Sequence, residues 1–172
     1  THQQLTNAVT EWRRTVLRET PLLEIRPFTV GYSALPRAVL PARDGVPHGG
    51  IKRSAPAPNC SYFTRWTQPA DSMTWQVEIH EAGQFEAVLH YACPAVDIGS
   101  AIQLACGKSA WKGTIAVAHD PPARGAENDR VPRKGESLVK DFKTMSLGMA
   151  DLAAGPAVLD LRATRVAGSQ VA

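Results

Sequence analysis

Apolar and polar positions change period twice along the chain. Over residues 1–19, Leu5, Val9, Trp12 and Val16 recur at helical spacing with Ala8 on the same stripe, which predicts an amphipathic helix. Thr1 and Gln4 fit a capping box at its start. Pro21 ends it, because the residue before a proline is pushed out of the α region. A lone helix this short is marginal in water, so its apolar face needs a surface to dock on. Residues 21–61 are rich in Pro and Gly, with β-prone pieces at Ile25–Tyr32 and Arg37–Leu40 and a turn-laden run, Asp44–Gly50; they read as a connector.

From residue 62 the period becomes two. Met73, Trp75, Val77 and Ile79 alternate with Thr74, Gln76, Glu78 and His80, the signature of a strand with one buried face. Glu81–Gln84 supplies a hairpin turn, and Phe85, Ala87, Leu89, Tyr91 and Cys93 continue on the next strand. Ile102–Cys106, Trp111–Val117, Leu138–Phe142, Met145–Leu147 and Leu159–Ala163 follow, with Gly155-Pro156 turning the chain before the last. Short strands at near-regular spacing with no helix between them predict a mainly β fold, an antiparallel β-sandwich or jelly roll. The domain division is therefore 1–20 helix, 21–61 connector and 62–172 β-sandwich. One long polar segment, His119–Ser137, interrupts the pattern; it is a binding or docking loop, or surface ornament.

Composition narrows the function by exclusion. The net charge is +3, and the basic residues are interleaved with acids, which argues against nucleic acid as a partner. No apolar run approaches the ~20 residues that span a bilayer, and the first residues lack the basic-then-apolar order of a secretion signal. Cys60, Cys93 and Cys106 have neither CxxC spacing nor a Cys/His quartet. Cys93 and Cys106 lie in apolar strand-like sequence and are buried free thiols by default, or the three hold one disulfide with a thiol left over. No Ser lies in a nucleophile elbow and no His pair has zinc-helix spacing, so catalysis by this chain is the least supported reading. His80 and His90 fall on polar strand faces and are expected in solvent.

A sugar-binding reading requires an aromatic plane for the apolar face of a pyranose and polar groups for its hydroxyls. Trp66 and Trp111, at strand ends or turns, are the best candidate platforms, with Tyr62 next. Trp75, in register with Val77 and Ile79, belongs to the core. Arg130, Arg133 and Lys134 can pair with sulfate or carboxylate on an anionic glycan, and His48 lies in a glycine-rich loop expected to face a ligand. The alternative is that these aromatics bury against a neighbouring domain.

Two resemblances extend this reading. Met73–Ile79 followed by Ala82–Leu89, with the closing run Leu147-Gly148, Leu152–Gly155 and Leu159–Ala163, resembles galactose-binding-like carbohydrate modules across residues 62–168. Such sandwiches often carry a structural calcium, for which Asp97, Asp120, Glu127 and Asp129 offer oxygen ligands; no other cofactor is implied. Arg26–Tyr32, Leu40–Ile51, Asn59–Phe63, Ala118–Pro122 and Gly135–Phe142 are similar to the C-terminal region of bacterial, notably planctomycete-type, sulfatases. That resemblance implies a non-catalytic accessory domain partnering its own catalytic domain, periplasmic or secreted, and contacting a sulfated polysaccharide. An autonomous carbohydrate-binding module for anionic polysaccharide is the alternative. The Cys/Ser-x-Pro-x-Arg signature of sulfatase catalysis is missing: Cys93-Pro94-Ala95-Val96 has neither the spacing nor the arginine.

Overall fold

The computed structural model describes residues 1–16, 26–57 and 61–172. Among these residues one α-helix, α1 (His2–Val16), is followed by ten strands: β1 (Phe28–Val30), β2 (Val46–His48), β3 (Lys52–Arg53), β4 (Phe63–Thr64), β5 (Ser72–Ile79), β6 (Gly83–Tyr91), β7 (Ala101–Cys106), β8 (Ser109–Thr114), β9 (Lys143–Leu152) and β10 (Gly155–Arg165). The protein is a mainly β sandwich preceded by one helix. The expected end of α1 at Pro21, the β-prone start at Ile25 and the third cysteine, Cys60, lie outside the described residues.

The larger sheet runs β1-β5-β10-β7-β8, with β2 also paired to β5; the smaller is the β6-β9 ribbon, and β3-β4 forms a separate hairpin. β5, next to the middle strand β10, shows the alternation best: Met73, Trp75, Val77 and Ile79 are buried while Gln76 is exposed. Leu159, Leu161 and Ala163 of β10 and Ile102 and Cys106 of β7 extend this inner face. Tyr91, Leu147 and Leu152 close the core from the second sheet, and Cys93, in an isolated bridge to His119, packs beside them. Burying side chains of this size contributes about 1.5–3 kcal/mol each.

Two features depart from the pattern expected of the sequence. The turn at 81–84 does not join a hairpin: β5 pairs with β10, β1 and β2, whereas β6 pairs with β9. The connection between β9 and β10 crosses between sheets in the same way. A reversing turn returns the chain without deciding which sheet it returns to. Second, the segment read as a connector supplies strands to the sandwich. Phe28–Val30 lies parallel to Val77–Ile79, and Val46–His48 lies antiparallel to Ser72–Thr74. Arg37–Leu40 forms no strand, and Leu138–Phe142 contributes only an isolated bridge between Val139 and Arg124.

Helix α1 buries none of its residues. The Gln4 side chain reaches back to accept from the Thr1 backbone nitrogen at 2.6 Å, the return half of the expected capping box. Its stripe of Leu5, Val9, Trp12 and Val16 is 51–70% exposed.

Candidate functional site

The two tryptophans expected to form sugar platforms are inside the protein. Trp66 and Trp111 are 5% and 3% exposed, so neither offers an open face. The strand alternation of β8 turns Trp111 inward between exposed Ala110 and Lys112, and its Nε1 donates to the Phe85 carbonyl at 2.9 Å. Trp66 lies where the C-terminal segment returns, its carbonyl accepting from the Val171 amide at 2.8 Å. Trp75 is core as expected, with Nε1 donating to the Pro41 carbonyl at 3.0 Å.

Tyr62 is half-buried and makes an edge-to-face pair with Phe142, ring centroids 5.5 Å apart at 73°. The Ser54 amide donates to the Tyr62 carbonyl at 2.8 Å and the Tyr62 amide to Ser54 Oγ at 3.0 Å, which extends the β3-β4 hairpin by one step. Ser54 Oγ in turn bonds Ser137 Oγ. The hairpin and the end of the long loop are thereby fixed to one another.

The loop is ordered by its own charges. Arg133 Nε donates to Asp129 at 2.6 Å, Nη1 to the Ser137 carbonyl at 3.1 Å and Nη2 to the Gly125 carbonyl. This fork is occupied in holding the loop, not presented as expected to a sulfate. Arg130 and Lys134 are exposed, and with Arg133, Asp129 and Glu136 they line an open concavity of ≈ 720 Å³. Nearer β9, Arg124 grips Asp141 through Nε at 3.1 Å and Nη2 at 2.7 Å, and the guanidinium holds the Asp141 carboxyl below its usual value. Lys140 pairs with Asp120 at 2.5 Å, and His119 Nε2 stands 3.1 Å from the Asp141 carbonyl.

The four carboxylates read as calcium ligands are dispersed. Asp97 is buried and accepts from the Ser169 amide at 2.7 Å, Ser169 Oγ at 3.0 Å and the Gln170 amide at 3.4 Å. Asp120 is taken by Lys140 and Asp129 by Arg133. Glu127 folds back on the Gly125 amide at 2.8 Å, and that N–H holds its carboxyl below the ordinary range. Among the described residues no three His, Cys, Asp or Glu side chains gather as a metal site, so these carboxylates do not fit one calcium ion together.

His48 is exposed, its Nε2 2.9 Å from Thr74 Oγ1 of β5. Beside it lies a residue the sequence pattern did not single out. Asp71 is 4% exposed and accepts from the amides of Gly50 at 2.8 Å, Gln68 at 3.1 Å and Thr67 at 3.4 Å. Gly49 allows this approach: it sits at φ +72°, and a Cβ there would lie 2.1 Å from Asp71 Oδ1. The paired glycines after His48 were the available signal. Asp141 and Phe142 were also missed as surface features, because the run Leu138–Phe142 reads as a strand, whereas the strand begins at Lys143.

Taken together, fold and surface define a β-sandwich module with polar, loop-built contact surfaces. No family model matches the chain, and no curated protein matches it in sequence. Among solved structures it is similar to a family 35 carbohydrate-binding module from Clostridium thermocellum, with a TM-score of 0.47 and 11% identity over 77% of this chain and 89% of that one. It is also similar to a GH26-CBM35 β-(1,4)-mannanase from Podospora anserina, with a TM-score of 0.45 and 14% identity over 76% of this chain and 24% of that one. None of these comparisons supports the resemblance to sulfatase tails.

Proposed function

We propose that the chain is a non-catalytic accessory module, a β-sandwich that packs through α1 on a neighbouring catalytic domain, of the sulfatase kind its motifs resemble. The observation that carries this is the open stripe of α1: Leu5, Val9, Trp12 and Val16 are all more than half exposed, and the helix buries nothing. Fifteen residues of isolated helix are marginal in water, whereas burying each of these side chains contributes about 1.5–3 kcal/mol. The helix therefore gains most of its stability from a partner surface. Hydrogen exchange tests this on the native polypeptide that carries the chain and on residues 1–172 alone. Slow exchange at 2–16 in the former and fast exchange in the latter is the expected result. Equal, fast exchange in both would end the docking role.

A second reading is that the module contacts glycan, with anionic polysaccharide the ligand at the 129–136 concavity. Arg130 and Lys134 supply exposed cations there, on a loop already stiffened by Arg133. Ionic contacts at such a surface weaken with salt. Affinity electrophoresis in carrageenan and in its desulfated form should show retardation only by the former, lost in an Arg130→Ala/Lys134→Ala variant. Equal mobility in both gels would remove the anionic reading.

A further inference from the structure

The structure assigns a separate sugar-binding subsite at the Tyr62–Phe142 pair, and its charge points to a neutral pyranoside as the ligand. The proposal rests on the glycan-contact reading above but concerns a different place and a different class of sugar.

Phe142 is 38% exposed and Tyr62 is half-buried. Each ring is held from its own backbone: Tyr62 by the double link to Ser54, and Phe142 by its position directly before Lys143, the first residue of β9. An edge-to-face pair fixed on two anchored segments leaves aromatic surface in solvent at little further entropic cost. Such a surface suits the C–H face of a hexopyranose, provided polar groups stand beside it for the hydroxyls.

Polar groups adjoin Phe142 along the chain. Asp141 and Arg124 are 56% and 59% exposed while bonded to each other, so carboxylate lone pairs and guanidinium N–H groups remain open to water or to hydroxyls. Lys140 and Asp120 form the second pair on the same stretch. The bases of both pairs are already matched by acids, in contrast to the exposed Arg130 and Lys134 at the concavity. A sulfate or uronate would have to compete with Asp120 and Asp141 for these bases. A neutral sugar, which both donates and accepts hydrogen bonds, matches paired charges.

The test is calorimetric and NMR titration of the full chain with cello-, manno-, xylo- and galacto-oligosaccharides, and with carrageenan oligosaccharides as the sulfated probe. Gln84→Ala, exposed on the β6-β9 face, is the control variant. The expected result is binding of at least one neutral oligosaccharide, weakened about tenfold or more by Phe142→Ala and by Tyr62→Ala, with amide shifts at both positions in the parent protein. Phe142→Leu, which retains bulk but not the ring, should lose binding while keeping the fold by circular dichroism. Neutral-sugar binding undiminished in these variants, without shifts at residues 62 and 142, overturns the subsite and leaves the glycan reading intact. Binding confined to the sulfated probe does the same. A folded chain that binds no sugar overturns both.

Discussion

Replacing Asp97 by Ala should detach the C-terminal segment from the sandwich. The carboxylate is 2% exposed and holds Ser169 through amide and hydroxyl, at 2.7 Å and 3.0 Å, and Gln170 at 3.4 Å. Two residues further on, Val171 is fully buried and its amide bonds the Trp66 carbonyl at 2.8 Å. A hydrogen bond to a charged acceptor contributes about 1.5–3 kcal/mol, and burial of a valine about as much. Freed backbone entropy, about 1–2 kcal/mol per residue, offsets part of the loss. The net cost is then roughly 2–4 kcal/mol, which for a chain this size lowers Tm by roughly 5–15 °C. Thermal unfolding by circular dichroism reads the first quantity, and exchange of the Val171 amide reads the detachment itself. Asp97→Asn keeps an oxygen acceptor and should cost less. Gly168→Ala attacks the contact from the other side, since its Cβ would lie 2.2 Å from Asp97 Oδ1 and 2.7 Å from the Val96 carbonyl. An Asp97→Ala protein that melts within about 1 °C of the parent, with Val171 still protected, refutes the reasoning.

Gly49→Ala should destabilise the β2 end by about 2–3 kcal/mol, from left-handed backbone and collision with Asp71 together; urea denaturation measures it, and a neutral effect would contradict the close approach. Cys93 and Cys106 should resist alkylation in the native protein and react after unfolding, as site-resolved mass spectrometry would show. Burial pushes both thiols up, with Asp97 and Asp120 adding to the effect at Cys93. Ionisation therefore favours the unfolded chain: stability is complete below the ordinary thiol value, about 8.5, and declines as pH rises beyond it. Fast native alkylation at either site would contradict this. Trp12→Ala should leave the melting of the isolated chain within about 0.5 kcal/mol of the parent, because the side chain touches no core; a larger loss would mean that α1 packs on the sandwich.

The strands were largely legible because burial imposes period two directly on the residues, and β5 shows it without interruption from Met73 to Ile79. Trp111 was also within reach: exposed Ala110 and Lys112 flank it, so alternation places it inside, but its position near a turn outweighed that pattern. What the sequence concealed are bonds between distant residues. Asp97 meets Ser169 across 72 positions, and no local pattern marks an acid as an anchor and not a ligand. Arg133 likewise reads as a surface cation until Gly125, Asp129 and Ser137 are seen around it. The sheet crossings at 81–84 and before Gly155 escaped for a similar reason. Turn residues specify a change of direction, whereas sheet membership depends on partners elsewhere in the chain.

Those crossings also set the order in which strands can find their partners as the chain is made. β10 lies between β5 and β7, with Gly155 opposite Ile79 and Leu159 opposite both Trp75 and Cys106. As the chain leaves the ribosome, β5 and β7 emerge long before the strand that joins them, and β6 waits for β9. Of the longer strands, only β7 and β8 can pair with a sequence neighbour at once. For most of its synthesis the module is a set of apolar strands without their partners, exposed to proteases and to one another, and the late arrival of β10 is the event that ends that exposure.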